Sequence, residues 1–142
     1  MIRTLKRFGI IGFLSILIVG CFPVRTDNPD KAWKYWSGSE PPAEVELIKG
    51  EYYQSPHFSL EYELFLKFKT NKEWFIEFVT YNNLRIDTIG NDWTRWTELP
   101  IWFNPNQDFI KYSADQADEF ERSRYFFNPE TSETYIYETV GM

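Results

Sequence analysis

The chain has 142 residues, 21 acidic against 15 basic, and a formal net charge of −6. That length suits one domain, and the negative balance disfavours polyanions, nucleic acid above all, as partners. Cys21 is the single cysteine, so no disulfide forms within the chain and the fold must stand on its packed core.

The material for that core is aromatic. Six Trp, nine Tyr and 13 Phe are present, and each buried ring removes about 150–250 Å² from water. At the start of the chain, Arg3, Lys6 and Arg7 precede an apolar run over residues 8–19, broken by Gly9, Gly12 and Ser15. Basic, apolar and small residues in that order form the pattern of a secretory signal peptide. The run of 12 residues is short for a spanning helix, which needs about 20. Ile18-Val19-Gly20-Cys21 then resembles a bacterial lipobox. The resemblance implies cleavage after Gly20 and acylation of the Cys21 sulfur. Residues 1–20 carry three bases and no acid, so their removal takes the net charge from −6 to −9. Two or more acyl chains give stable attachment where one is marginal. Phe22 stands where an Asp retains enteric lipoproteins in the inner membrane. By the same resemblance, the expected location is the cell envelope, on the outer membrane and facing the periplasm.

Residues 21–42 carry Pro23, Pro29, Pro41, Pro42 and Gly38 and read as a lipidated tether. Residues 30–36 within it allow a short helix or an arm, and Trp33, Tyr35 and Trp36 are expected to dock on the domain. Residues 43–142 are expected as the domain itself. Alternation over 43–49 predicts a strand. Gly50 marks a turn or bulge, and residues 51–57 predict a second strand or an extended loop limited by Pro56. Residues 58–69 alternate most clearly, with Phe65 as the exception to an otherwise polar second face.

Thr70-Asn71-Lys72-Glu73 reads as a capping box, and the spacing predicts a helix over 71–82 with Phe75, Phe78 and Val79 on one face. Residues 84–89 predict a short strand, 109–113 another, and 121–127 with 134–140 a hairpin whose turn starts at Pro129. Strands, one helix, then strands is an α+β order. The expected fold is an antiparallel sheet of five to seven strands with the main helix on one face.

Chemistry is thinly signalled. Ser55, His57 and Ser59 share a strand face, without the glycines of a nucleophile elbow. One histidine and no free thiol serve metal poorly, and Asp115, Asp118 and Glu119 read as a solvated run. Neither metal nor cofactor is expected. Glu61 and Glu63 share a face, as a carboxylate-dependent hydrolase would require, although Lys67 and Lys69 on the same strand suggest surface ion pairs. Arg122 and Arg124 alternate near the end and are expected to pair with Glu61, Glu63 or Glu138. The strongest binding signal is the Trp-rich segment 91–104. Trp93, Arg95, Trp96 and Trp102 are the types that anchor protein interfaces and stack on sugars, but they also fill cores. The leading expectation is a non-enzymatic lipoprotein that binds another envelope protein or a foreign one, as in an immunity, inhibitor or assembly role. A glycan-binding lipoprotein and a small hydrolase are the alternatives.

Overall fold

The computed structural model describes residues 22–56, 59–88, 90, 92–115 and 121–142. The expected signal peptide and Cys21 lie outside the described residues. The fold is α+β: one antiparallel sheet of seven strands with two helices on one face. In chain order the elements are β1 (Val24–Thr26), α1 (Pro29–Ser37), β2 (Val45–Gln54), β3 (Tyr62–Thr70), α2 (Lys72–Tyr81), β4 (Leu84–Ile86), β5 (Ile110–Ala114), β6 (Arg124–Phe127) and β7 (Glu133–Val140). Across the sheet the order is β1-β2-β3-β7-β6-β5-β4. Both edges are strands of three residues, which leaves little unpaired backbone for another strand to join.

The expected tether is corrected. β1 pairs with the end of β2 through Val24 and Gln54, and α1 packs on the sheet with Trp33 only 3 % exposed. The punctuation of residues 28–38 is that of a helix. The Asn28 carboxamide accepts from the Lys31 amide at 2.9 Å, Pro29 opens the first turn, and Gly38 closes it at φ 73°. Asn at the N-cap, Pro at the first position and Gly past the end are the usual helix boundaries.

The two strands expected on either side of Gly50 are one strand. A bulge at Ile48 shifts the register between Leu47 and Lys49. Before it, odd-numbered Val45 and Leu47 face the helices; after it, even-numbered Gly50 and Tyr52 do. One inserted residue preserves the face while it breaks the sequence period. Gly50 lies directly under α1. A Cβ there would meet the Pro29 Cα at 2.8 Å and the Ala32 Cβ at 3.1 Å, so a side chain would push the helix off the sheet.

The capping box also needs correction. Thr70 is the buried last residue of β3, and the N-cap of α2 is Asn71, whose side chain accepts from the Trp74 amide at 2.8 Å. The helix face of the sheet is closed by Trp33, which meets Phe68 at 5.6 Å and Trp36 at 5.3 Å, both nearly edge-on. Phe75 of α2 stacks on Phe127 at 4.4 Å. Phe65, the exception in the alternation, reports a second core on the opposite face. There it packs with Phe103, Phe126, Tyr135 and Tyr137, beneath the irregular segment between β4 and β5. The expected hairpin is present: Asn128 accepts from the amides of Glu130 at 2.9 Å and Thr131 at 3.2 Å, and Ser132 takes φ 61°.

Candidate functional site

Residues 92–109 have no regular backbone pattern, so their polar groups must find partners one by one. The Asp92 carboxylate accepts from the Thr94 hydroxyl at 2.7 Å and the Thr94 amide at 3.2 Å. The Thr97 hydroxyl donates to Glu63. Trp102 donates its indole N–H to Glu51 at 3.0 Å, and Tyr135 donates to the Asn104 side chain at 3.0 Å. Between these ties Phe103 drops into the second core and is 2 % exposed.

The four residues singled out as binding candidates part company here. Trp93 turns inward, 5.4 Å from Tyr137 and 5.7 Å from Phe126. Trp102 lies on Phe103 at 5.9 Å. Trp96 points outward and is 73 % exposed, with the Arg95 guanidinium 4.9 Å over its ring. Ile101, which sequence reasoning passed over, is fully exposed at 100 %. A lone isoleucine between prolines and tryptophans carries no periodicity to mark it.

Beside this segment is a cleft of about 740 Å³ lined by Arg25, Asp27, Glu51, Tyr53, Glu63 and Glu98 among others. Two of its carboxylates, Glu51 and Glu63, are engaged as acceptors. Glu51 takes the Trp102 indole, and Glu63 takes Thr97 and, at 3.2 Å, the Tyr137 phenol. Burial, and then the Glu63 charge, pushes the Tyr137 phenol up to about 12. Glu61 accepts from the hydroxyls of Ser55 and Ser59, each at 2.9 Å. Glu61 and Glu63 thus tie neighbouring segments to β3. An acid and a base facing one open space would be needed for glycoside hydrolysis. His57 lies outside the described residues, as do Asp118 and Glu119. Among the described residues, no group of three or more His, Cys, Asp and Glu is placed to hold a metal ion.

The expected pairing of Arg122 and Arg124 is overturned. Arg122 donates to the Met142 carbonyl. Arg124 is fully buried; its Nε meets Asp87 at 2.9 Å, and its Nη1 donates to the Glu121 and Ser123 carbonyls at 2.9 and 2.8 Å. Lys111 reaches the same Asp87 oxygen at 3.1 Å. Glu138, offered as a partner for the arginines, faces the helices instead. It accepts from Trp36 at 2.9 Å, from Tyr125 at 2.6 Å and from Tyr62. Burial first, and Glu138 second, pushes both phenols well above the usual tyrosine range. These partners come from distant elements, so no local spacing announces them.

Comparison of the chain with protein-family models, with curated proteins and with solved structures found no match.

Proposed function

We propose that this protein is a lipid-anchored envelope lipoprotein, non-enzymatic, that binds another protein through the exposed side of its Trp-rich segment. The observation that carries the reading is Trp96. Its segment is tied down at Glu51, Glu63 and Tyr135, yet this ring stays 73 % exposed, and Ile101 of the same segment is fully exposed. Holding a large apolar side chain out on an anchored loop preorganises a contact before any partner arrives. Trp and Arg together are frequent energetic anchors of interfaces. The adjoining carboxylates Asp27, Glu51, Glu63 and Glu98 give the cleft an acidic wall, which complements a cationic partner segment and speeds its encounter. Sugar stacking is less well supported, because Trp93 and Trp102 pack against the second core and leave Trp96 as the one strongly exposed Trp of the segment. The membrane link rests on the lipobox resemblance of residues 18–21.

The test is crosslinking of the acylated full chain in its own cells, read by mass spectrometry, beside Trp96→Ala/Ile101→Ser. One envelope protein captured by the parent and lost from the variant supports the reading. Capture undiminished in the variant overturns this face as the interface, and enrichment of glycan in place of protein overturns the class of partner. Cys21→Ser, in parallel, is expected to lose acyl labelling and accumulate as precursor; unchanged membrane attachment would refute the anchor.

A further inference from the structure

The reach of the anchor and the apolar residues at one end of the sheet bear on how the domain sits. β1, β2, β3 and β7 meet in one row through Val24, Gln54, Tyr62 and Val140. Chain start, β2 end, β3 start and β7 end therefore share one end of the sheet. Phe22, Leu60 and Val140 lie at that end and are 68, 60 and 39 % exposed. A Cβ on Gly141 would sit 3.4 Å from the Leu60 carbonyl oxygen, which places Leu60 beside the exit of β7. Glu61, the acid nearest them in sequence, is held by Ser55 and Ser59.

Sequence position decides what lies against this end. Cys21 precedes Val24 by three residues, and three residues span at most about 11 Å when fully extended. Pro23 narrows the choice further, since it fixes its own φ and biases Phe22 toward extended backbone. A lipid on Cys21 therefore holds the row of Val24 close to the headgroups, with no tether to let the domain wander. Aromatic and aliphatic side chains at that depth gain by entering the boundary between headgroups and acyl chains.

We propose that the end of the sheet carrying Phe22, Leu60 and Val140 rests on the surface of the membrane that holds the Cys21 lipid. The inference rests on the lipoprotein reading above. The domain stands with its strands rising from the bilayer. The β6–β7 turn is at the far end, seven residues of β7 away, or about 23 Å at strand rise. The acidic cleft, lined by Arg25, Tyr53 and Glu63 from the rows next to Val24, opens near the membrane, so its partner is met there and not at the distal end.

The experiment uses the full acylated chain in phosphatidylethanolamine–phosphatidylglycerol vesicles. Leu60→Cys and Glu130→Cys each receive a fluorophore, the introduced thiol being the free one once Cys21 is acylated. Vesicle flotation is scored first, then quenching by a nitroxide carried on the lipid headgroup. Flotation, with loss of most emission at position 60 and little at 130, is the expected result. Flotation with equal quenching at both positions, or none at either, overturns the orientation and leaves the anchor standing. Failure to float overturns the anchor reading and the orientation with it.

Discussion

The helix face and the loop face of the sheet are closed by different means. On the helix face, α1 and α2 satisfy their own backbone and meet the sheet through rings, Trp33 on Phe68 and Phe75 on Phe127. On the loop face, residues 92–109 carry backbone groups that no helix satisfies. They are tied by Asp92, Thr97, Trp102 and Asn104 to themselves and to Glu51, Glu63 and Tyr135. The polar groups differ as well. Glu138 on the helix face collects three neutral donors, whereas the loop face buries Arg124 against Asp87. A segment tied at points can hold some side chains in the core and others in water. A packed helix offers that freedom only along its outer stripe. Function is therefore sought on the loop face.

Substitutions on each face test how independently the two are held. The largest effect is expected from Arg124→Ala, which removes the fully buried partner of Asp87 and leaves that carboxylate to Lys111. Breaking a buried pair costs about 3–5 kcal/mol, read as a loss in denaturant unfolding; a loss under about 1 kcal/mol would mean that Lys111 suffices to hold the buried Asp87 carboxylate. Next, Trp33→Ala and Phe103→Ala each remove a buried ring at roughly 3–5 kcal/mol, but with different reach. Trp33→Ala is expected to raise amide exchange throughout the sheet. Phe103→Ala is expected to raise it mainly over residues 92–109, and equal spreading in both would show that the two faces unfold as one unit. Thr97→Val removes one tie to Glu63 and is expected to cost about 1 kcal/mol. The smallest effect is that of Trp96→Ala, within about 0.5 kcal/mol as an exposed substitution; a larger loss would place the ring in the core.

Alkaline pH offers a further handle on the loop face. The Tyr137 phenol is raised to about 12 in the folded chain, from about 10 when unfolded. A raised acid keeps its proton more tightly when folded. Its contribution is therefore full below about pH 10 and is lost as pH rises toward about 12. Tyr137→Phe is expected to flatten that part of the pH–stability profile, leaving the fall due to Tyr62 and Tyr125. An unchanged profile would show that Tyr137 does not titrate with unfolding.

Local pattern carried the sheet, its antiparallel class, the helix at α2 and the hairpin of β6 and β7, because period and turn chemistry act over a few residues. It carried two elements badly. Residues 28–38 hold complete helix boundaries, but their prolines and glycine imitate a linker until Trp33 is seen under α2 and against Phe68. β2 reads as two pieces because the bulge at Ile48 reverses its parity. For the candidate site, the Trp-rich segment was legible as a place, while the direction of each ring was not. Trp93 and Trp96 stand three residues apart in one irregular stretch, and only the ties at Thr97 and Trp102 decide which of them enters the core.

Composition and contiguous residues were enough for the α+β class and the acidic body, and they are all that the proposed anchor at Cys21 rests on. Tertiary structure alone decided the partners of Arg124 and Glu138, the two-faced core announced by Phe65, and the exposure of Trp96 and Ile101. Those are contacts between elements tens of residues apart. Their geometry is set by strand order and register, which no local period encodes.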